Sequence, residues 1–176
     1  SQILYTLKEK LEDIEEKILN IRVGGNDLCN VFGLRRQVCE SIYDLRPIAD
    51  ILSDIMTVFG QDYVLSGPVW EYYNGTNWKN GLSEELSKDK TFGFVGKTVI
   101  HPKQITLVNQ AFSVSLEDYQ DALEILNWNP GHANLVSGSH RNIRMNEYKT
   151  HYNWALRTKY LADSYGICSA VQKACH

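Results

Sequence analysis

The sequence predicts an α/β protein, because short strand-like segments alternate along it with helical ones. The strand-like segments are residues 20–25, 63–66 and 92–100. The segments with helical periodicity are residues 4–19, 47–59, 102–112 and 115–128. This alternation favours parallel strands joined by right-handed helical crossovers.

Each helix carries a signal of its own. Apolar residues recur at helical spacing among Lys and Glu in residues 4–19, which predicts a one-faced surface helix. Pro47 suits the first turn of the second helix, and Ser115 with Asp118 forms a near variant of the capping box at the start of the fourth. Residues 84–88 predict one helical turn, and residues 147–165 predict a last helix that ends before a glycine.

The segment 129–146 is predicted to be irregular and locally basic. It contains no Asp or Glu, and its basic residues are His132, His140, Arg141 and Arg144. The segment either covers an anionic substrate or is a solvated connection, and sequence alone favours the connection. On the last helix, His151 and Trp154 are expected to pack rather than react.

Composition narrows the class of protein. The chain has 176 residues, 43% of them hydrophobic, which suits one domain with a real core. Its net charge of −3 argues against a generic nucleic-acid binder. Apolar runs are too short to cross a bilayer, and the first residues do not resemble a signal peptide, so we expect a cytoplasmic protein with no membrane partner.

The most informative motif is Gly24-Gly25-Asn26-Asp27, directly after the first strand-like run. Two glycines let the backbone turn tightly at the strand end and present the Asp27 carboxylate outward. Such an oxygen ligand suits a hard cation, for which Mg²⁺ is the natural candidate. Ordinary turn chemistry is the alternative interpretation.

Other candidate site residues are polar side chains beside strand ends. Arg35 and Arg36 suit bidentate binding of a carboxylate or phosphate, or solvate a surface. His101 follows the third strand, where it contacts a ligand or caps the next helix. Gly96-Lys97-Thr98 does not make a P-loop, because Thr91 stands where that motif needs a glycine and a strand continues beyond it.

Five segments carry a resemblance to a known family: IRVGGNDLCNVFGLRR, SIYDLRPIADIL, GPVWEY, GFVGKTVIHPKQI and THYNWA. In this order they resemble the citrate lyase β-subunit and malyl-CoA lyase superfamily. Within it, the chain is most similar to the carbon–carbon bond lyases found with tellurium-resistance operons. The similarity extends over residues 20–166, and the combination of GGNDL with GKTVIHPKQ is its most specific part.

The resemblance implies a TIM barrel in which an Asp and a Glu from neighbouring strands hold Mg²⁺, or Mn²⁺, against a 2-oxo acid or a 3-hydroxyacyl thioester. Asp27 matches the family's aspartate. The partner Glu and the substrate-binding arginine lie on earlier strands in the family, so residues 1–128 would hold about strands six to eight, with residues 129–176 packing on the barrel. The chain is therefore expected either to be part of a larger polypeptide or to lack half of its metal site.

The resemblance also assigns substrate-binding positions. Gly24, Gly25 and Asn26 would shape the metal loop, while Lys97, His101 and Gln104 would lie near the carboxyl-terminal rim of the barrel. Arg35 and Arg36 are further candidates for contact with the anionic substrate. Asp44 and Glu71 belong to segments typical of the branch and are expected to contact substrate.

Three functions are consistent with this sequence. The first is a magnesium-dependent lyase that cleaves a small anionic substrate, with a CoA thioester as one form, by retro-aldol or Claisen-type chemistry. The second is a non-catalytic binding or assembly module that forms a homo-oligomer or needs a partner chain, because an open parallel sheet edge must be covered. The third is an acyl-CoA thioesterase that uses the same metal site.

Overall fold

The computed structural model describes residues 2–128, 136–139 and 143–168. It divides the chain into two compact units, Ser1–Ala111 and Phe112–His176. We expected residues 1–128 to form part of a barrel and residues 129–176 to pack on it, and this boundary stays a prediction.

The secondary structure of the described residues is mixed. The helices are α1 (Gln2–Glu12), α2 (Gly25–Val31), α3 (Arg46–Phe59), α4 (Trp78–Phe92), α5 (Pro102–Phe112), α6 (Leu116–Leu126) and α7 (Tyr148–Tyr165). The strands are β1 (Ile21–Arg22), β2 (Leu65–Gly67), β3 (Gly96–Lys97), β4 (Val114–Ser115), β5 (Val136–Gly138), β6 (Met145–Glu147) and β7 (Ile167–Cys168). Single 3₁₀ turns lie at Glu15–Lys17 and Ile42–Asp44.

The first unit is built on a parallel sheet with strand order β1-β2-β3. Ile21 pairs with Leu65, Arg22 with Ser66 and Gly67 with Lys97. Each strand is followed by a helix before the next strand, so the predicted α/β class and parallel pairing agree with the structure. Three strands form an open sheet, and closure into a barrel stays a prediction.

The hydrophobic core of the first unit lies between this sheet and its helices. Val23, next to β1, and Leu65 of β2 are both buried in it, and Ile21 packs against it. Other buried members are Ile42, Ile48, Leu52, Val58, Phe59 and Phe94. The helices therefore cover one face of the sheet, the face that carries the aliphatic residues.

Helix α4 is longer than expected: it covers Trp78–Phe92, where a single turn at 84–88 was predicted. It begins after Asn77, whose φ is 66°, and ends at Gly93, whose φ is 118°, and both angles lie in the left-handed region that interrupts a helix. Its buried residues at helical spacing include Glu85 and Asp89. Because these two buried positions carry carboxylates, the buried face of α4 does not show as a continuous apolar pattern in the sequence.

Two further predictions about the strands were wrong in extent. The segment after β1 was expected to be a loop at Asp27, and it is helix α2 instead. The third strand was expected over 92–100 but covers only Gly96–Lys97: Phe92 belongs to α4, Gly93 ends that helix in the left-handed conformation, and residues 98–100 are not in the sheet. By contrast, α5 has the predicted bounds, 102–112.

In the second unit α6 and α7 pack together, β4 pairs with β7 in parallel, and β5 and β6 form an antiparallel pair. The Ser115 side chain accepts a hydrogen bond from the Asp118 N–H over 3.1 Å, which confirms the predicted cap of α6. Trp154 packs against the small core of this unit, and the His151 Nδ1 lies 3.0 Å from the Glu147 backbone nitrogen.

The basic segment of residues 129–146 is described in part. The Arg144 guanidinium pairs with Asp118 and Asp121 at 2.7 and 2.5 Å and lies 5.1 Å from the Trp154 ring centre. Burial lowers the pKa of Arg144, but the hydrogen bonds and charges of Asp118 and Asp121 together outweigh it and raise the pKa above its ordinary value. Arg144 therefore holds this segment against α6 and α7 of the second unit. His132, His140 and Arg141 lie outside the described residues.

No described helix is both long and apolar enough to cross a membrane.

Candidate functional site

The Asp27 carboxylate lies at the exit of β1, in the first turn of α2. It is exposed, and among the described residues it has no hydrogen-bond or ion-pair partner. A Cβ at Gly24 would come within 2.4 Å of Asp27 Oδ2, so the carboxylate lies against the bare Cα of Gly24. Gly24 thus leaves the space that the carboxylate occupies.

Gly25 packs the turn of residues 24–27 against the residue that follows the neighbouring strand, Pro68. A Cβ at this position would lie 2.5 Å from Cβ of Pro68 and 2.6 Å from Cδ1 of Ile42. Both atoms are parts of packed side chains, so only glycine fits without a shift. The exits of β1 and β2 are held together at this point.

An open cleft of about 420 Å³ lies beside α2 and contains three of the predicted substrate-binding residues. Its lining residues are Asn26, Cys29, Asn30, Leu34, Arg35 and Glu71. The exposed Arg35 donates from Nε to Oε2 of the largely buried Glu71 over 3.0 Å. Burial raises the pKa of the Cys29 thiol, which therefore stays neutral at physiological pH.

The Gln104 amide holds the segment that carries Glu71. Its Nε2 donates to the carbonyl oxygens of Trp70 and Tyr72 at 2.9 and 3.0 Å, and its Oε1 accepts from the Ile100 N–H at 3.1 Å. Gln104 is buried and both ends of its amide are engaged. Its position therefore fixes where Glu71 enters the cleft, and its predicted contact with substrate stays a prediction.

His101, after β3, was expected either to contact a ligand or to cap the next helix. Its Nδ1 accepts a hydrogen bond from the Lys103 N–H at 3.2 Å, in the first turn of α5. Its ring is stacked on Tyr73, with 4.3 Å between ring centres and 5° between planes. The Nδ1 contact is a capping contact, and a role toward ligand remains a prediction for the other ring nitrogen.

A buried charge cluster joins β3 to helix α4. The Lys97 Nζ lies 2.8 Å from Oε1 of Glu85 and 2.8 Å from Oδ2 of Asp89, and all three side chains are at most 1% exposed. Glu85 also accepts from the Ile42 N–H at 2.8 Å. The close approach of Asp89 to the sheet needs Gly67, where a Cβ would lie 3.1 Å from Asp89 Oδ1.

Tyr43 extends the charge cluster. It donates from its hydroxyl to Oδ1 of Asp89 at 2.5 Å, and burial followed by the Asp89 charge raises its pKa, so it stays a neutral donor. Burial also raises the pKa of Asp89, against the opposing effect of Lys97. Lys97, which the resemblance places near the substrate, is thus occupied by two carboxylates on the helix-covered side of the sheet.

Arg36 lies at the other end of the charge cluster and is 1% exposed. It donates from Nη2 to the Val69 carbonyl oxygen, its Nε lies 3.6 Å from Glu85, and its guanidinium lies 5.2 Å from the Trp70 ring centre. Among the described residues, its Nε and Nη1 have no hydrogen-bond partner. The two consecutive arginines therefore differ: Arg35 faces the cleft, and Arg36 braces the segment that follows β2.

Asp44 lies outside the cleft. Its Oδ2 accepts from the Ser41 N–H and its Oδ1 from Lys88 Nζ, both at 2.8 Å. These bonds, with Lys88 as the larger cause, lower the pKa of Asp44. Asp44 forms a capping box for the 3₁₀ turn Ile42–Asp44, and its predicted contact with substrate stays a prediction.

Sequence reasoning missed Glu85 and Asp89. A signal was present, because they recur with Trp78, Leu82 and Leu86 at helical spacing. Carboxylates on the buried face of a helix require a partner cation, and Lys97 is the cation on the strand that follows.

At the exit of β1, the Asp27 carboxylate could supply one oxygen ligand to a divalent metal ion. Asp27 supplies an exposed carboxylate that has no partner in the described part of the chain, and carboxylates are the type of ligand that Mg²⁺ and Mn²⁺ prefer. The part of the chain that the structure describes contains no group of three or more His, Cys, Asp or Glu residues suited to hold a metal. Asp27 therefore accounts for one ligand of such a site.

Comparison with known protein families gives a match over nearly the whole chain. The model of the family described as C–C bond lyase of the TIM-barrel fold matches residues 1–167. No curated protein matches the chain. The match covers both the Asp27 turn and the β3 segment, so this chain belongs to the C–C bond lyase family of the TIM-barrel fold.

Proposed function

We propose that this chain carries part of the active site of a magnesium-dependent carbon–carbon lyase, with Asp27 as a ligand of Mg²⁺ or Mn²⁺. The observation that supports it most is the Asp27 carboxylate, which has no partner among the residues that the structure describes and lies at the exit of a parallel strand, where α/β enzymes place their reactive groups. The substrate class is a 2-oxo acid or a 3-hydroxyacyl thioester, cleaved by retro-aldol or Claisen-type chemistry.

In this proposal some residues of the chain bind the metal and others bind the substrate. When bound, the ion supplies electrophilic stabilisation of the negative charge that develops on an enolate oxygen. Gly24 leaves room for the Asp27 carboxylate, and Gly25 holds the turn against Pro68. Arg35 is the exposed cation of the adjacent cleft and is suited to an anionic group of the substrate, in exchange for its bond to Glu71.

Buried side chains outside the cleft hold the segments that carry the proposed site. Arg36 and Gln104 hold the two sides of the segment around Glu71, and Lys97 ties the exit of β3 to α4. We assign Arg36, Lys97 and Gln104 a positioning role, with Asn26, Arg35 and Glu71 as the residues that meet substrate.

The first test measures the metal directly. Titration of free Mn²⁺, followed by electron paramagnetic resonance, gives its affinity for the wild-type protein and for Asp27→Asn. We expect Asp27→Asn to weaken Mn²⁺ binding at least about tenfold, because it removes the charge but keeps the size of the ligand. The matched control is Asp54→Asn, which removes an exposed carboxylate on α3 and should leave the affinity unchanged. Equal affinity in all three proteins would contradict the metal role of Asp27.

The second test separates the lyase from its alternatives by product. The protein is incubated with Mg²⁺ and either a 4-hydroxy-2-oxo acid or a 3-hydroxyacyl-CoA, and the products are identified by mass spectrometry. A cleaved carbon skeleton supports the lyase, whereas free CoA with an intact acid identifies the thioesterase.

The binding or assembly module makes a different prediction. Its motivation is the two free edges of the β1-β2-β3 sheet within the described residues. It predicts a stable homo-oligomer by light scattering and no metal-dependent turnover, while the lyase predicts turnover that Asp27→Asn removes. A link to tellurium resistance belongs to the same proposal and rests on the resemblance, whereas a cytoplasmic location stays an expectation from the sequence.

A further inference from the structure

The sequence contains two Asn-Gly pairs, Asn74-Gly75 and Asn80-Gly81, which lie six residues apart. Both asparagine side chains are exposed, so solvent reaches either amide. The backbone differs between the two pairs: the first lies in the bend of residues 74–77, and the second lies inside helix α4. The chain therefore presents the same chemical group in two backbone environments.

An asparagine that precedes glycine is chemically labile and reacts with its own backbone. The glycine nitrogen loses its proton to solvent and attacks Cγ of asparagine; the N–Cγ bond forms, the Cγ–Nδ2 bond breaks, and ammonia leaves. Water then opens the resulting succinimide ring at one of its two carbonyl carbons and gives aspartate or isoaspartate. Glycine favours the ring because it has no Cβ to hinder the attack and its backbone adopts many conformations. The reaction thus requires an accessible glycine nitrogen and a backbone that is free to rearrange.

The Asn74-Gly75 pair meets both requirements. Gly75 is exposed, its φ is 83°, and a Cβ built on it would find no atom within 4 Å. The pair precedes the first residue of α4, Trp78, so its ring closure breaks no hydrogen bond of that helix. Exposed loop backbone with open space around it rearranges at little cost in free energy. The glycine nitrogen can therefore reach Cγ of Asn74 without displacing packed residues.

Helix α4 protects the Asn80-Gly81 pair. The Gly81 N–H donates to the Asn77 carbonyl oxygen over 3.0 Å, which engages the nitrogen that would attack. Gly81 is buried, and a Cβ on it would press against the Val38 carbonyl oxygen and lie 2.6 Å from Cζ2 of Trp70. Ring closure at Asn80 would therefore break a helical hydrogen bond and displace a packed glycine, although the Asn80 side chain itself is exposed.

We propose that Asn74 is a site of spontaneous deamidation in the folded protein, whereas the fold protects Asn80. The product carries a negative charge in place of a neutral amide, and in its isoaspartate form the main chain is one carbon longer. Both changes fall directly after Tyr73, whose ring is stacked on His101, and three residues after Glu71 of the cleft. The inference is independent of the proposed function, because the reaction uses only the chain and water.

The test follows the folded wild-type protein over several weeks at neutral pH by intact mass and by peptide mapping. Each event adds about 1 Da to the chain, and mapping assigns it to one of the two asparagines. We expect Asn74 to deamidate at least about tenfold faster than Asn80, because reaction at Asn80 must wait for local opening of α4. Free peptides of residues 72–77 and 78–83 are the reference and should deamidate at similar rates, since both contain Asn-Gly without the fold.

Two variants confirm the assignment. Asn74→Gln should remove most of the mass gain, because glutamine would have to close a larger ring, and the matched control Asn80→Gln should leave the gain unchanged. The comparison of the two sites uses the wild-type chain alone and does not depend on the folding of either variant. Equal rates at the two sites of the folded protein, or an unchanged mass gain in Asn74→Gln, would overturn the proposal. A difference between the free peptides as large as that in the folded protein would overturn it too, because the selectivity would then come from local sequence.

Discussion

Replacement of Lys97 by methionine tests the buried charge cluster most directly. The Lys97 ammonium is the only group that contacts both the Glu85 and the Asp89 carboxylate within the described residues, at 2.8 Å each. Methionine keeps most of the side-chain volume and removes the charge. Glu85 then retains the Ile42 N–H at 2.8 Å and the Arg36 Nε at 3.6 Å, whereas Asp89 retains the Tyr43 hydroxyl.

The expected loss follows from burial. Both carboxylates are 0% exposed, so neither regains solvent when the cation leaves. Removing one partner from a buried ion pair costs about 3–5 kcal/mol, a large share of the roughly 5–15 kcal/mol that stabilises an ordinary domain. With a urea dependence of about 2 kcal/mol per molar, the unfolding midpoint should fall by about 2 M.

Urea unfolding at constant pH measures this loss. The matched control is Lys88→Met, because Lys88 also pairs with an aspartate at 2.8 Å but is 44% exposed. An exposed pair contributes about 0–1 kcal/mol, so the control should differ little from the wild type. A loss below about 1 kcal/mol in Lys97→Met would refute the argument that burial makes this cation indispensable.

Dependence on pH gives a second readout of the same variant. Without the cation, burial raises the pKa of Asp89 with less opposition, so the folded state binds a proton more tightly than the unfolded state. Stability is then lost as pH rises through the raised pKa, and Lys97→Met should recover part of its loss in acid. Asp89→Asn added to Lys97→Met should likewise recover stability at neutral pH.

Two other perturbations have defined outcomes. Gly25→Ala places a Cβ 2.5 Å from Pro68 and should lower the free energy of unfolding by about 1–3 kcal/mol, measured in urea, and an unchanged midpoint would show that α2 shifts freely. Asp44 has a lowered pKa through Lys88 and the Ser41 N–H, so its stabilisation is present above its unfolded pKa of about 3.9 and is lost as pH falls through the lower folded value. The stability difference between the wild type and Asp44→Asn should therefore shrink in acid unfolding curves, and a difference independent of pH would contradict this.

Local signals predicted the elements that depend on their own residues. The bounds of α5 agree with the structure, and Ser115 caps α6 as its position beside Asp118 indicated. Both features depend on hydrogen bonds and backbone preferences within a few residues. The parallel pairing of the three strands was predicted from the alternation of strands and helices, and the structure agrees.

Predictions were less accurate where partners come from distant parts of the chain. Only one turn at 84–88 of α4 was predicted, because Glu85 and Asp89 interrupt its apolar pattern, yet both pair with Lys97 on the following strand. Arg35 and Arg36 are adjacent in sequence, but one is largely exposed and the other is buried against Trp70. Neither difference has a local cause.

By itself, the sequence determined the α/β class, the parallel pairing of the strands and membership of the C–C bond lyase family. These follow from periodicity and from short-range backbone chemistry, which a linear pattern records. Only the tertiary structure decided that Lys97 and Arg36 are buried and that the Asp27 carboxylate is exposed at the exit of β1. The free energy of a charged side chain depends on its solvent exposure and on the counter-charges within a few ångströms, and folding sets both.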